Sequence, residues 1–241
     1  MTARPPRVRR RRAVRRDALE NREKILTVAA ELMAQRGRNV PMVEIAETAG
    51  VGVGTIYRGW PDRTALLHAL EHHAYDLLID ILDRIAESGQ TGADAIETYL
   101  DECLNLGNQL VLPLRGAPPL TDQAAVAARE QINAALERFV ADGHVNGSVR
   151  ADVNATDIIM CAAMITQPLP HGPGSSTIAR RHLCLFVRGV RAPTDQPLPG
   201  PAVTRQDIEE TFARPRPDLD VANLALRRPP RLYLSGRIRP K

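Results

Sequence analysis

Apolar residues recur three or four positions apart in successive blocks of this chain, which is the spacing of one face of an α-helix. The first block lies between Arg22 and Gly37, and glycine is common just after the last turn of a helix. We therefore predict a first helix over this range. Its apolar positions are Ile25, Leu26, Ala29, Leu32 and Met33.

Two shorter helices are predicted next. The second begins at Pro41, a residue type favoured in a first helical turn, and ends before Gly50. The third covers residues 53–58 and ends at Gly59-Trp60-Pro61. Two helices joined by a short turn that contains glycine are typical of a helix-turn-helix, whose second helix enters the major groove of DNA.

The rest of the chain also reads as helical. Asp62 can cap a fourth helix that continues to about Glu87. Further helices are predicted at 93–110, 121–142, 154–166 and 175–190, with a short one at 205–213, and turns rich in proline and glycine separate most of them. No strand pattern competes, and aromatic residues make up only 3% of the chain. We predict an all-α protein, with a three-helix DNA-binding domain at 17–67 and an antiparallel helical domain at 68–192.

Charge is distributed unevenly. Residues 1–16 contain eight arginines and no acid, residues 69–192 carry a net charge of −6, and the whole chain is +4. A basic end on an acidic body suggests that one end meets a polyanion such as DNA. We expect residues 1–16 to form a disordered arm that contacts DNA. We also expect residues 193–241, of which nine are proline, to form a mostly disordered tail.

The outward face of the third helix offers groups suited to DNA. Thr55 can contact a thymine methyl group or donate a hydrogen bond, Tyr57 can donate to a phosphate, and Arg58 can pair with guanine or phosphate. Gly52 and Gly54 would let the backbone approach the duplex. Tyr57 could instead be a core aromatic residue and Arg58 a solvated charge, and we expect Trp60 to pack in the core.

The run RxxILxxAAELMAxRG followed by VPMVEIAETAGVGVGTIYRGWPDRTALL resembles the DNA-binding domain of the TetR family of bacterial regulators. More weakly, GSVRADVNATDII and RRHLCLFVRGVRAP resemble the last helices of the effector-binding domain in one branch of that family. The resemblance implies that Arg63 contacts a phosphate from the start of helix 4, where lysine is common. The chain departs from the family pattern at Gly59 (usually His), Trp60 (Phe) and Gly52 (often Ser).

The resemblance also implies a homodimer and a small-molecule effector that releases the protein from a palindromic operator. The last two helices of the domain would pair with those of a second copy. Residues 93–142 would line the effector pocket, with Tyr99, Cys103, Asn108, Gln109 and Phe139 as candidates. Apolar side chains expected at the dimer contact, unless they only complete the protomer core, are Ile158, Ile159, Ala162, Ala163, Ile165, Leu183, Phe186, Val187 and Val190.

The sequence gives little support to other functions. His68 and His72 lie four residues apart on helix 4, but without a clear third ligand we expect no metal. The cysteines Cys103, Cys161 and Cys184 have no basic neighbourhood that would make them redox sensors. A helical enzyme using Cys103 or His144 lacks a recognisable catalytic motif, and a DNA-coating protein does not fit the acidic body.

We expect no cofactor and no catalytic residue. No secretory signal or run of about 18 apolar residues occurs in the sequence. A cytoplasmic protein without membrane contact is therefore expected.

Overall fold

The fold is described from a computed structural model that covers residues 7–37, 39–112, 119–167, 175–191, 193 and 196–213. Within these ranges every regular element is helical, which confirms the all-α prediction. The elements are α1 (Arg7–Arg36), α2 (Met42–Thr48), α3 (Val53–Gly59), α4 (Arg63–Glu87), α5 (Gly92–Leu106), a 3-10 turn (Gly107–Gln109), α6 (Gln123–Asn146), α7 (Ala155–Ile165), α8 (Ser175–Val190) and α9 (Arg205–Ala213).

Helix α1 is longer than predicted. It begins at Arg7 rather than near Arg22, so the expected disordered arm is helical from Arg7, and residues 1–6 lie outside the described ranges. Arginine and alanine are good helix formers, and each residue added to an existing helix gains a hydrogen bond without a new nucleation cost. The apolar spacing could not reveal this extension because residues 7–16 contain few apolar side chains.

Helices α1, α2 and α3 and the first turns of α4 enclose one apolar core. Ala29, Ile45, Ala46 and Ile56 are fully buried in it. The α2–α3 turn passes through Gly50 at φ +66°, a conformation that favours glycine, and Val51 N–H donates to the Ala46 carbonyl at 2.9 Å. The predicted helix-turn-helix is therefore present.

Helices α4 to α8 enclose a second, larger core. Helix α4 runs through both cores, since Leu66 and Leu70 lie in the first and Leu78 and Leu82 in the second. Helix α6 continues to Asn146 and ends at Gly147, although the sequence pattern predicted a turn from residue 143. Gly143 lies inside the helix, close to Val149 and Gly92, and Gly147, with φ +73°, ends the helix instead.

The segment after α8 is more ordered than predicted. Asn154 Nδ2 donates to the Val203 carbonyl at 2.9 Å, and Leu198 N–H donates to Asp152 at 2.8 Å. Helix α9 then lies on α6, where Arg129 and Glu209 form an ion pair. The helical unit thus extends to residue 213. Helix α9 lies where a short helix was predicted, and the expected disorder of 193–241 is wrong for residues 196–204, which these hydrogen bonds hold in place. Residues 214–241 lie outside the described ranges.

Most of the side chains predicted at a dimer contact complete the protomer core instead. Ile158, Leu183, Val187 and Val190 are at most 4% exposed, and Ala162 is also buried. Helical spacing identifies an apolar face without telling which neighbour covers it. The exposed apolar residues on α7 and α8 are Met164 and Leu185.

Candidate DNA-reading surface and effector cavity

Helix α3 presents one polar face to the outside. Ile56 is fully buried and holds the helix on the first core, while Thr55, Tyr57 and Arg58 are exposed. Gly54 is exposed beside them, and Gly52 is the residue before the first turn. Four predicted positions thus share the accessible side of a two-turn helix, and Gly52 lies at its start.

A groove separates α3 from α1. Thr55 and Arg58 line one side, and Asn21 lines the other. Trp60 forms its floor and is only 4% exposed, as expected for a packing residue, and the Arg22 guanidinium lies 4.9 Å from the centre of its ring. The α1 residues at this groove were missed by the sequence reasoning, because nothing in the local pattern tells which neighbour a helix face meets.

Arg63 begins α4, directly after its cap. The Asp62 carboxylate accepts a 2.8 Å hydrogen bond from Ala65 N–H, which fixes the start of the helix. The Arg63 Nη1 atom donates to Asn39 Oδ1 at 3.4 Å. The half-buried Arg63 side chain therefore links α4 to the segment before α2.

An apolar cavity of about 90 Å³ lies in the second core. Tyr99 and Cys103 of α5 line it, together with Leu78, Ile132 and Ile159. Burial raises the pKa of the Cys103 thiol to about 12, so this group is a neutral part of the wall. Helix α9 closes one side of the cavity.

The other three pocket candidates lie away from the cavity. Asn108 and Gln109 are in the 3-10 turn, which packs against α1, and Phe139 is buried in the second core outside the cavity wall. The turn forms because α5 ends at Gly107, whose φ is +50°. Helix periodicity continued past this glycine in the prediction, and this misplaced the two polar side chains.

A group of buried polar residues lies at the α4–α6 side of the cavity. Arg129 donates to the Leu120 carbonyl at 3.0 Å and to the Tyr75 hydroxyl at 3.3 Å. Glu71 accepts hydrogen bonds from Tyr75 (2.8 Å) and Leu120 N–H (3.2 Å). Burial raises the pKa of the Glu71 carboxyl group, although these hydrogen bonds and the Arg129 charge oppose the shift.

Two family models match this chain. Residues 25–70 match the bacterial regulatory proteins of the TetR family, and residues 93–192 match the SbtR-like C-terminal domain of transcriptional regulators. The chain belongs to the TetR family. This TetR-family protein is 27% identical to a TetR transcription regulatory protein from Mycobacterium vanbaalenii, whose crystal structure it matches with a TM-score of 0.55 over 74% of this chain and 99% of the other.

The chain is also similar to a curated regulator and to a second solved structure. An HTH-type transcriptional regulator of Staphylococcus aureus (strain USA300) is 30% identical over 92 residues, which are 38% of this chain. The chain spans about half the length of that curated relative (50%). The structure of AibR in complex with isovaleryl coenzyme A and operator DNA is 19% identical, with a TM-score of 0.53 over 68% of this chain and 97% of the other, and at that identity it supports the fold alone.

In this TetR-family protein the functionally suggestive polar groups of the second core were missed by sequence reasoning. Glu71 lies four residues before Tyr75 within an apolar stripe, which is a detectable signal for a partnered buried carboxylate. Arg129 and Glu209 are 80 residues apart, and no local pattern pairs them. Only the packing of α9 on α6 brings the two side chains together.

Neither a metal site nor a membrane-spanning helix is found among the described residues. No group of three or more His, Cys, Asp or Glu side chains within the described ranges could hold a metal ion. His72 instead lies 3.4 Å from the Asp122 carboxylate. No helix in the described part of the chain is long and apolar enough to cross a membrane.

Proposed function

We propose that this TetR-family protein is a repressor that binds a palindromic DNA operator as a homodimer and releases it when a small molecule occupies the cavity of the second core. The observation that supports this proposal best is the form of α3. Its apolar residue Ile56 is fully buried, while Thr55, Tyr57 and Arg58 are left uncovered on a short helix. Polar side chains presented in this way suit the major groove.

The residues around α3 contribute to DNA binding in different ways. Arg58 and Thr55 read base edges, and Tyr57 donates to a phosphate. Gly52 and Gly54 carry no side chain that would hold the backbone away from the duplex. Arg63 contacts a phosphate from the start of α4. The arginines of residues 4–16 add sequence-independent attraction.

A homodimer follows from the small reading surface. One two-turn helix offers few base contacts, and dimers of helix-turn-helix proteins read two half-sites about 34–36 Å apart. We place the contact on the outer faces of α7 and α8, where Met164 is 63% and Leu185 is 58% exposed. Exposed apolar side chains on adjacent helices gain stability when a second copy covers them.

Effector response is proposed from the cavity and from the continuity of α4. Tyr75 and Leu78 of α4 line the cavity, and Arg63 begins the same helix. A ligand that favours one position of α4 would change the separation of the two α3 helices. AibR, which shares the fold, has been crystallised with both isovaleryl coenzyme A and operator DNA. A protein with this function would work beside the chromosome, in the cytoplasm.

The DNA-binding part can be tested by selecting duplexes from a random pool with the full chain and measuring affinity for the enriched sequence by fluorescence anisotropy. We expect an inverted repeat to be enriched. Arg58→Ala should weaken binding to it by about 10- to 100-fold, as expected for loss of a base-reading arginine. Arg138→Ala, which removes an exposed arginine from α6, is the matched control and should bind as the wild type does.

If no sequence is enriched, or if Arg58→Ala and Arg138→Ala bind alike, the proposed reading surface is wrong. Deletion of residues 1–16 should reduce affinity for all DNA while preserving the preference for the selected repeat. Loss of the preference along with the affinity would instead favour a DNA-coating protein.

The dimer can be tested by sedimentation of a Met164→Glu, Leu185→Glu double variant. Two carboxylates in an apolar contact should shift the protein to the monomer at micromolar concentration. Val145 is 90% exposed on α6, so Val145→Glu adds a charge outside the proposed contact and should leave the dimer intact. A double variant that sediments as the wild type does would place the contact elsewhere.

A further inference from the structure

Arg129 is a nearly buried cation in the wall of the cavity. Its side chain is 11% exposed, and its guanidinium lies 5.9 Å from the Tyr75 ring centre and 5.5 Å from that of Phe212. A cation in such a position needs a counter-charge, because removing it from water is costly. Glu71, whose nearest oxygen is 4.0 Å away, is too far to fill this role by direct hydrogen bonding.

The direct counter-charge comes from α9. Arg129 Nε donates to Glu209 Oε1 at 2.7 Å, and Nη2 donates to Glu209 Oε2 at 2.9 Å. This is the two-point geometry with which arginine binds a carboxylate. Glu209 is thus placed as a free carboxylic acid would be placed if it entered the cavity with its charged group towards Arg129.

Helix α9 has the features of a removable cover. Its cavity-facing residues Arg205, Ile208, Glu209 and Phe212 are only half-buried. Its other described ion pair, Arg205 Nη2 to Glu130 Oε1 at 3.3 Å, joins side chains that are 36% and 62% exposed, and exposed pairs contribute little stability. The helix also lies outside residues 93–192, which match the family model.

We propose that Arg129 is the anion-binding residue of the effector cavity and that Glu209 occupies it in the ligand-free protein as an internal substitute for the carboxylate of the effector. The effector class is an apolar molecule with one carboxylate. Among the described residues of the wall, the only charged side chains are Arg129, Arg205 and Glu209. Arg129 is far less exposed than Arg205 (11% against 36%), which favours Arg129 as the site of the anion. Most of the remaining wall is apolar, with Leu78, Ile132 and Ile159 among its residues, and suits an apolar body.

Displacement of Glu209 from Arg129 would affect both α9 and α4. On one side α9 loses its strongest anchor, while the Asn154–Val203 hydrogen bond still holds the chain before it. On the other side Arg129 also contacts Tyr75 of α4. A ligand carboxylate that moved Arg129 would therefore act on the helix that begins at Arg63. This inference rests on the proposed effector function, which it makes specific.

The test uses the full chain and straight-chain carboxylates from butanoate to dodecanoate, each compared with its neutral amide by titration calorimetry. We expect at least one carboxylate to bind, with its amide weaker by on the order of tenfold. Glu209→Gln removes the internal competitor and should tighten carboxylate binding by on the order of tenfold. Glu210→Gln changes the neighbouring, exposed carboxylate and should bind as the wild type does.

A second measurement does not depend on affinity. The bound carboxylate should increase amide hydrogen exchange in residues 205–213 of the wild type, because α9 is released, and the amide should not. The inference is overturned if no carboxylate in the series binds either protein, if carboxylate and amide bind equally, if Glu209→Gln leaves carboxylate affinity unchanged, or if exchange in α9 is unaltered. Such a result with operator binding intact would reject this inference and leave the DNA-binding proposal standing.

Discussion

The Tyr75 hydroxyl donates a 2.8 Å hydrogen bond to the Glu71 carboxylate one turn earlier on α4. Both residues are buried, at 3% and 1% exposure. Glu71 directly follows the part of α4 that packs under the helix-turn-helix, and Tyr75 lines the cavity. A buried carboxylate at this position is stable only while its donors stay in place. The pair therefore makes the conformation of α4 depend on the groups around it.

Tyr75→Phe should destabilise the protein by about 1–3 kcal/mol, because a buried acceptor loses a hydrogen-bond donor while the aromatic packing stays. Urea unfolding followed by circular dichroism measures this change. In the Glu71→Gln background the same substitution should cost less, since a neutral amide tolerates the loss of a donor better than a carboxylate. Equal costs in the two backgrounds would show that the hydrogen bond contributes nothing specific.

The stability difference between the wild type and Glu71→Gln should depend on pH. Burial raises the pKa of Glu71 above its ordinary value, so the folded state binds a proton more readily than the unfolded chain. The wild type is therefore favoured most, relative to Glu71→Gln, at pH values below the ordinary carboxyl pKa, and this advantage falls as the pH rises through the raised value. Urea unfolding of both proteins between pH 4 and pH 8 checks the sign, and a difference that grows with pH would contradict it.

Gly143→Ala should destabilise the second core. A methyl group on Gly143 would fall 2.2 Å from Val149 Cγ2 and 3.2 Å from the Gly92 Cα atom, so α6 and the turn after it would have to move apart. Overpacking of this kind costs about 1–3 kcal/mol. Val149 Cβ would also lie 2.7 Å from the added methyl group, so Val149→Gly, which removes both contacting atoms, is the matched second change. The double variant should lose less stability in thermal unfolding than the sum of the two single variants.

Gly52→Ser should stabilise α3 slightly. Gly52 precedes the first turn with φ −67° and ψ 142° and makes no side-chain cap, and a side chain there would meet nothing closer than Thr55 Oγ1 at 3.9 Å. A serine hydroxyl can accept a hydrogen bond from a free N–H of that turn, which adds about a few tenths of a kcal/mol over glycine. Gly52→Ala adds the same Cβ without an acceptor, so an alanine variant as stable as the serine variant in thermal unfolding would contradict the capping argument.

Much of the first domain could be predicted because its signals are local. Gly37 and Gly50 have positive φ at the two breaks that the sequence indicated, and Asp62 caps α4 as expected. The exposed face of α3 followed from the spacing of Val53 and Ile56, which were both expected to face inward. Ile56 is buried as expected, but the expectation is wrong for Val53, which is 39% exposed. The DNA-contacting roles of the residues on that face stay predictions.

The second domain was predicted less completely because its signals are distant in the chain. Tyr99 and Cys103 face the cavity, but Asn108, Gln109 and Phe139 do not. The prediction failed for these three because helix periodicity gives the buried face of a helix without showing where along it a cavity opens. The apolar positions of α7 and α8 were likewise identified as buried. They were assigned to a contact with a second copy, whereas most of them are covered by the same protomer, the alternative that the sequence had left open.

The sequence by itself determined where most helices lie, the Asp62 cap and the helix-turn-helix, because hydrogen bonds within a helix and the backbone preferences of glycine and aspartate act over a few residues. Only the tertiary structure decided that α9 closes the cavity and that Glu209 meets Arg129. A contact between side chains 80 residues apart depends on the packing of every helix between them, and the sequence pattern of neither helix contains that information.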